Sequence, residues 1–182
     1  MEQAKHLTHL KNETNKLIEK VERLLNEPLE SLENRQSNDS WNTLQCIEHL
    51  NRYSQFYLKE FDKVLKKATP STNKKDYKTG FLGKLFTNGM LPDENMKKMK
   101  TFKSKDPSSI GITKEVLTQF IDDQKYFLTI LEKAEAFNLN KNKCSITIPL
   151  LKMRLGDTLM FYVYHNIRHV VQAEKAASTV KS

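Results

Sequence analysis

The segment "FYVYHNIRHVVQAEK", residues 161–175, carries two histidines four positions apart inside an apolar, aromatic run. On a helix that spacing puts His165 and His169 on one face, one turn apart, where both rings can reach a single ion. A folding helix has little use for two imidazoles on an inner face. Two readings follow: a structural pair, or half of a metal site whose third ligand lies elsewhere. The pair alone does not decide between them, because buried and surface histidines are both common. The HExxH protease motif is excluded, since Asn166 stands where that motif has its glutamate.

Outward from this segment the chain reads as helices. Only 5 Gly and 5 Pro punctuate 182 residues, and alternating patterns are scarce, which points to an all-α protein. A first helix is expected from about Glu2 to Leu32, with Leu7, Leu10, Leu17, Val21 and Leu24 at helical spacing and Pro28 kinking or ending it. A second starts near Asn42, where Asn42 and Gln45 have the spacing of a capping box, and ends before Pro70. A third opens near Thr113, read as its N-cap. The stretch "SITIPLLKMRL" is expected to be extended or irregular, and a fourth helix runs from Gly156 or Asp157 to about Ala177. Four long amphipathic helices in one domain of residues 1–182 predict a four-helix bundle.

Residues 70–111 form a long connection between helices two and three and carry all but one of the glycines. "PDENMKKMKTF" reads as a short helix within it, and Phe81, Leu85, Phe86 and Phe102 as apolar tethers. A connection of this length is functional or mobile more often than it is a plain link. Residues 77–102 are expected to cover or border a pocket, with a dimer contact as the rival use of the same apolar groups.

The net charge of +8 and the pI near 9.3 invite a nucleic-acid reading. Against it, the lysines are spread through the chain among acidic neighbours, and no helix-turn-helix, zinc-finger or RNA-recognition pattern is present. No apolar run is long enough to span a bilayer, and "MEQAKHLTHL" lacks the apolar core of a signal peptide. Cys46 and Cys144 are too few for a disulfide framework and read as free thiols in a reducing cytoplasm.

A third histidine changes the weight of the pair. His49 lies inside the second helix between Ile47 and Leu50, so it faces inward or borders the inner stripe. In a bundle, inward side chains from separate helices converge. Three neutral imidazoles suit a divalent transition metal such as zinc, nickel, iron or copper, and three protein ligands leave a position open for water or substrate. Gln45 and Tyr53 lie one turn either side of His49, and Tyr162 and Gln172 three residues from His165 and His169, so all four are candidate pocket residues. Trp41 reads as a packing anchor and Cys46 as a small core residue, and Arg168 either binds an anion or reaches the surface. His6 and His9, on a charged stretch, are read as exposed.

The run "WNTLQCIEHL" (41–50), with "GDTL" (156–159) and "YHNIRHVVQ" (164–172) on the last helix, resembles the DinB/YfiT-like superfamily across nearly the whole chain. The resemblance implies a metal-containing four-helix bundle of up-down-down-up order, with His49, His165 and His169 as ligands to zinc or nickel, and a homodimer. It implies a small-molecule substrate and a metal-dependent enzyme, either a thiol S-transferase using a low-molecular-weight thiol or a hydrolase. The alternative is a non-catalytic, metal-containing, stress-associated binding protein. Two departures stand out: Asn42 replaces the usual Ser or Thr cap, and Asn166 replaces an acid beside the first histidine of the pair.

Overall fold

The computed structural model describes residues 2–71, 76–90, 101–108 and 111–178. Four long helices make the body: α1 (Gln3–Leu25), α3 (Thr43–Lys67), α5 (Glu115–Ala134) and α6 (Leu155–Ser178). Between them lie two short helices, α2 (Leu29–Glu33) and α4 (Phe81–Asn88), a 3-10 turn at Lys103–Lys105, and an antiparallel pair of strands, β1 (Lys143–Ser145) and β2 (Lys152–Arg154).

The termini follow from local chemistry. Pro28 divides the expected first helix in two: α1 ends at Leu25, and Pro28 stands at the N-cap of α2. At α3 the capping box forms in full, with Asn42 Oδ1 accepting from the Gln45 amide at 2.8 Å and Gln45 Oε1 accepting from the Asn42 amide at 3.1 Å. α5 begins at Glu115, two residues after Thr113, whose hydroxyl donates to the Glu115 carboxylate at 3.3 Å instead of capping the backbone. Part of the stretch expected to be extended or irregular pairs as a hairpin, Ser145 opposite Lys152, and its turn holds Leu150 at a φ of 64°.

Side-chain bonds fix the helix directions. Thr43 at the start of α3 bonds to Ala173 near the end of α6, so these two helices are antiparallel. Asn51 reaches Val116 and Tyr126 reaches Asp62, so α3 and α5 are parallel. Gln3 bonds to Phe137 and Lys114 to Glu27, making α1 and α5 antiparallel, while Lys20 and Glu174 pair α1 and α6 in parallel. The order is therefore up-down-down-up, an all-α four-helix bundle. Leu10, Ile47, Leu50, Phe61, Phe120 and Phe127 are fully buried at its centre, each contributing about 1.5–3 kcal/mol by leaving water.

Parallel neighbours need a connection that travels the length of the bundle. α3 has 25 residues, a rise of roughly 37 Å, and the chain must return that distance before α5 begins. This explains the long segment after residue 67. It is pinned near its start: Tyr77 Oη donates to Asp157 Oδ1 at 2.6 Å, and the Gly80 amide meets the same carboxylate at 3.2 Å. α4 lies directly on α6, and a Cβ at Gly83 would overlap the Asp157 side chain. Phe81 and Leu85 point outward, so they are not the expected tethers. The short helix expected over residues 92–102 falls mostly outside the described residues.

His6 corrects another expectation. It is fully buried, stacked on Tyr77 with ring centroids 4.0 Å apart, and its Nε2 donates to the Gly156 carbonyl at 3.2 Å. Its charged neighbours in sequence point elsewhere, whereas His6 sits one turn before the core residue Leu10 on the inner face. His9 is exposed, as expected. Replacing Tyr77 with Phe removes a donor from a buried carboxylate and should lower unfolding free energy by about 1–3 kcal/mol in a urea titration; unchanged stability would show that this anchor is not needed to hold the crossover.

Candidate metal centre

The antiparallel seam of α3 and α6 brings the two quoted segments together. His49 comes from the second turn of α3, and His165 and His169 from successive turns of α6. One ligand nitrogen from each lies within 4.8 Å of the others, and the cluster contains histidines alone. His49 Nε2 and His165 Nε2 stand 3.3 Å apart. Two imidazoles bound to zinc at about 2.0–2.1 Å with tetrahedral angles have nitrogens roughly 3.3–3.4 Å apart, so this edge already has the spacing of a metal-bound pair.

The outer nitrogens show which atoms face the centre. His49 Nδ1 meets the Lys105 carbonyl at 2.8 Å. A carbonyl only accepts, so the proton is on Nδ1 and the Nε2 lone pair points into the cluster. His169 Nδ1 likewise donates to Gln172 Oε1 at 3.0 Å. These are the partners that fix tautomer and ring orientation around a metal. His165 Nδ1 is buried with no hydrogen-bond partner among the described residues. If its proton sits there, two lone pairs face each other at 3.3 Å; if on Nε2, a buried acceptor is orphaned instead. A cation between the rings resolves the first arrangement, and the donor set fits a borderline transition metal better than magnesium or calcium.

The cluster opens on a cavity of about 650 Å³, within the range of small-molecule sites. Of the four expected pocket residues, Tyr53 and Gln172 line it. Gln45 is committed to the α3 cap. Tyr162 is fully buried below the site, where its hydroxyl meets Ser54 at 2.7 Å and accepts from Gln124 at 2.9 Å. Asn166 turns to that same network, donating to Gln124 at 3.1 Å, and not to the three histidines. Cys46 is buried, with its thiol pushed up by desolvation, as a core residue is.

Two participants were not assigned from the sequence. Trp41 is more than an anchor: its ring lies 4.8 Å from that of His49 and 6.0 Å from that of His169, and its indole donates to Ser108 at 3.1 Å. Lys105 supplies its carbonyl to His49 while its ammonium reaches the Arg52 carbonyl. Trp41 stands directly before the α3 cap, and Lys105 is delivered by the long connection between α3 and α5. Of the crossover's apolar groups, Phe86, Met90 and Phe102 line the cavity.

An up-down-down-up bundle with this histidine arrangement points to one family. The chain belongs to the DinB superfamily. The family model matches residues 6–173, which include all three histidines. No curated protein and no solved structure matches the chain. Among the described residues of this DinB protein, no helix is long and apolar enough to cross a membrane.

Burial sets the protonation state of the centre. Desolvation lowers His49 to about 4 and His169 to about 3, and holds His165 well below the usual imidazole value; the neighbouring histidines add to the effect at His165 and His169. All three are therefore neutral at pH 7 and ready to ligate. The unfolded chain takes up protons near pH 6.5 and the folded one only at about 4 and below, so the metal-free fold loses stability as pH falls below 6.5. The slope is up to about 1.4 kcal/mol per pH unit for each buried histidine. Urea titrations of chelated protein should show a plateau above pH 6.5 and a fall towards pH 4; a flat profile across that window would contradict neutral burial. Replacing Gln172 with Leu removes the acceptor that orients His169 and should weaken metal binding about 10–100-fold in a competition titration, with the fold retained.

Proposed function

We propose that this protein is a metal-dependent enzyme, a thiol S-transferase or hydrolase, acting on a small molecule bound in the cavity beside His49, His165 and His169. These residues would hold one divalent ion, with zinc or nickel preferred. The single observation that carries the reading is the convergence of three neutral Nε2 groups on the wall of a cavity large enough for a substrate. When bound, the ion lowers the pKa of a thiol or water beside it.

The protein's own part is positional. The Lys105 carbonyl and Gln172 hold two ligands in register, Trp41 shields one side, and Tyr53 and Tyr57 line the cavity. No carboxylate joins the ligand cluster among the described residues. Thiol transfer is favoured over hydrolysis on that ground, because a metal-held thiol loses its proton without an adjacent base. The same observation, with Asn166 turned away, supports the second reading: a stress-associated, metal-containing binding protein without turnover. As part of the proposal the chain is one cytoplasmic domain that forms a homodimer.

The test is transfer of low-molecular-weight thiols to a chromogenic electrophile by purified, metal-loaded protein. Activity should vanish on chelation, return with zinc or nickel, and fall at least about 100-fold in His49→Ala. Retained metal with neither thiol transfer nor hydrolysis of a chromogenic ester would favour the binding protein.

A further inference from the structure

The cavity has an exposed rim and a roofed interior, and the three histidines stand between them. Gln36, Ser37 and Asp39 of the connector before α3 line the rim with Lys175 at the end of α6, and all four are exposed. The interior is lined by Tyr57, Phe86, Ile146, Ile148, Met153 and Phe161. Tyr57, Ile146, Met153 and Phe161 are buried although they face the cavity, and Phe86 and Ile148 are half-buried. The bundle supplies only Tyr57 and Phe161 of these. The rest come from α4 and the hairpin, which pack on α6 and on each other.

The interior reaches the candidate metal centre directly. Phe161 lies one turn before His165, its ring stacked on the imidazole with centroids 5.7 Å apart and planes at 16°. The rings of Tyr57 and Phe86 lie 5.9 and 6.0 Å from that of Phe161. The chemistry of the lining changes along α6 at this point. The charged side chains with which α6 lines the cavity, Arg168 and Lys175, both follow His165. Among the described residues, no charged side chain lines it from α4, the hairpin or α3, since burial keeps His49 neutral. The hydroxyls of Tyr53 and Tyr57 both interact with Thr147 of the hairpin turn. A charge placed in this interior would lose its hydration without gaining a partner, whereas an apolar group is stabilised by leaving water.

We propose that this interior is the subsite for an uncharged alkyl or aryl body of the substrate, entered from the rim past the histidines, with the reacting end of the molecule left at the metal centre. Phe86 and Ile148, contributed by the added elements and not by the bundle, are then specificity-determining residues. The inference rests on the reading of this cavity as the substrate site. It narrows the substrates of that reading to molecules in which an apolar group adjoins the reacting atom.

The test is calorimetric titration of the full chain, metal-loaded and chelated, with 1-butanol and 1-octanol. One octanol should bind per chain, at least about tenfold more tightly than butanol, because four more methylenes leave water. In protein with labelled methionine methyls, bound octanol should show a nuclear Overhauser contact to Met153, its signal assigned through Met153→Leu. Ile148→Asp should weaken octanol binding at least about tenfold and leave metal content unchanged. Equal affinities for the two alcohols, no contact to Met153 in the complex, or unchanged octanol affinity in Ile148→Asp would each overturn the proposal. If Ile148→Asp fails to fold by circular dichroism, Phe86→Ser takes its place under the same criteria. If the wild type holds no metal, the metal reading fails alone: the length dependence and the Met153 contact are expected in chelated protein as well, and their absence there overturns the subsite. Thiol transfer by a protein whose octanol does not reach Met153 would overturn the subsite and leave the proposed function standing.

Discussion

Packing three neutral imidazoles, two of them buried and one half-buried, into the seam between α3 and α6 is the constraint on which the rest depends. Each ring carries polar nitrogens that must find partners, and the described residues supply partners for only some of them. Lys105 and Gln172 satisfy the outer nitrogens of His49 and His169, while the inner nitrogens of His49 and His165 face one another at 3.3 Å. An unpaired buried polar group costs about 1–3 kcal/mol, so the metal-free arrangement carries a local penalty at the same point where a cation would remove it.

The fold explains how the penalty is placed and supported. Parallel α3 and α5 force a crossover along the bundle, and that crossover returns past the seam with the Lys105 carbonyl. Its start is tied to α6 by Tyr77, Gly80 and Asp157, at the opposite end of α6 from His169. Beneath the histidines, Tyr162, Gln124, Ser54 and Asn166 form a buried polar network that joins α3, α5 and α6. Topology, anchor and site are therefore one arrangement: the segment demanded by helix direction is the segment that orients His49.

Much of this was legible in the amino-acid order. Helical spacing showed the four long helices, the Asn42–Gln45 pair showed where α3 starts, and His49 with the His165/His169 pair showed the centre. What escaped was set by tertiary contact. Charged neighbours hid the burial of His6, whose face is decided by packing against Tyr77. Proximity to His49 made Gln45 a pocket candidate, whereas the backbone cap took its side chain. Tyr162 is on the inner face too, but on the side turned to Gln124 and not to the cavity. A backbone carbonyl such as that of Lys105 carries no residue signature, and nothing in local sequence could single it out.

The central claim is that three imidazoles and no other protein side chain hold the metal. X-ray absorption at the metal edge of the purified protein reads that donor set directly. The metal assignment predicts one ion per chain with three imidazole shells at about 2.0–2.1 Å and no sulfur scatterer. A sulfur shell, or fewer than three imidazoles, would contradict it.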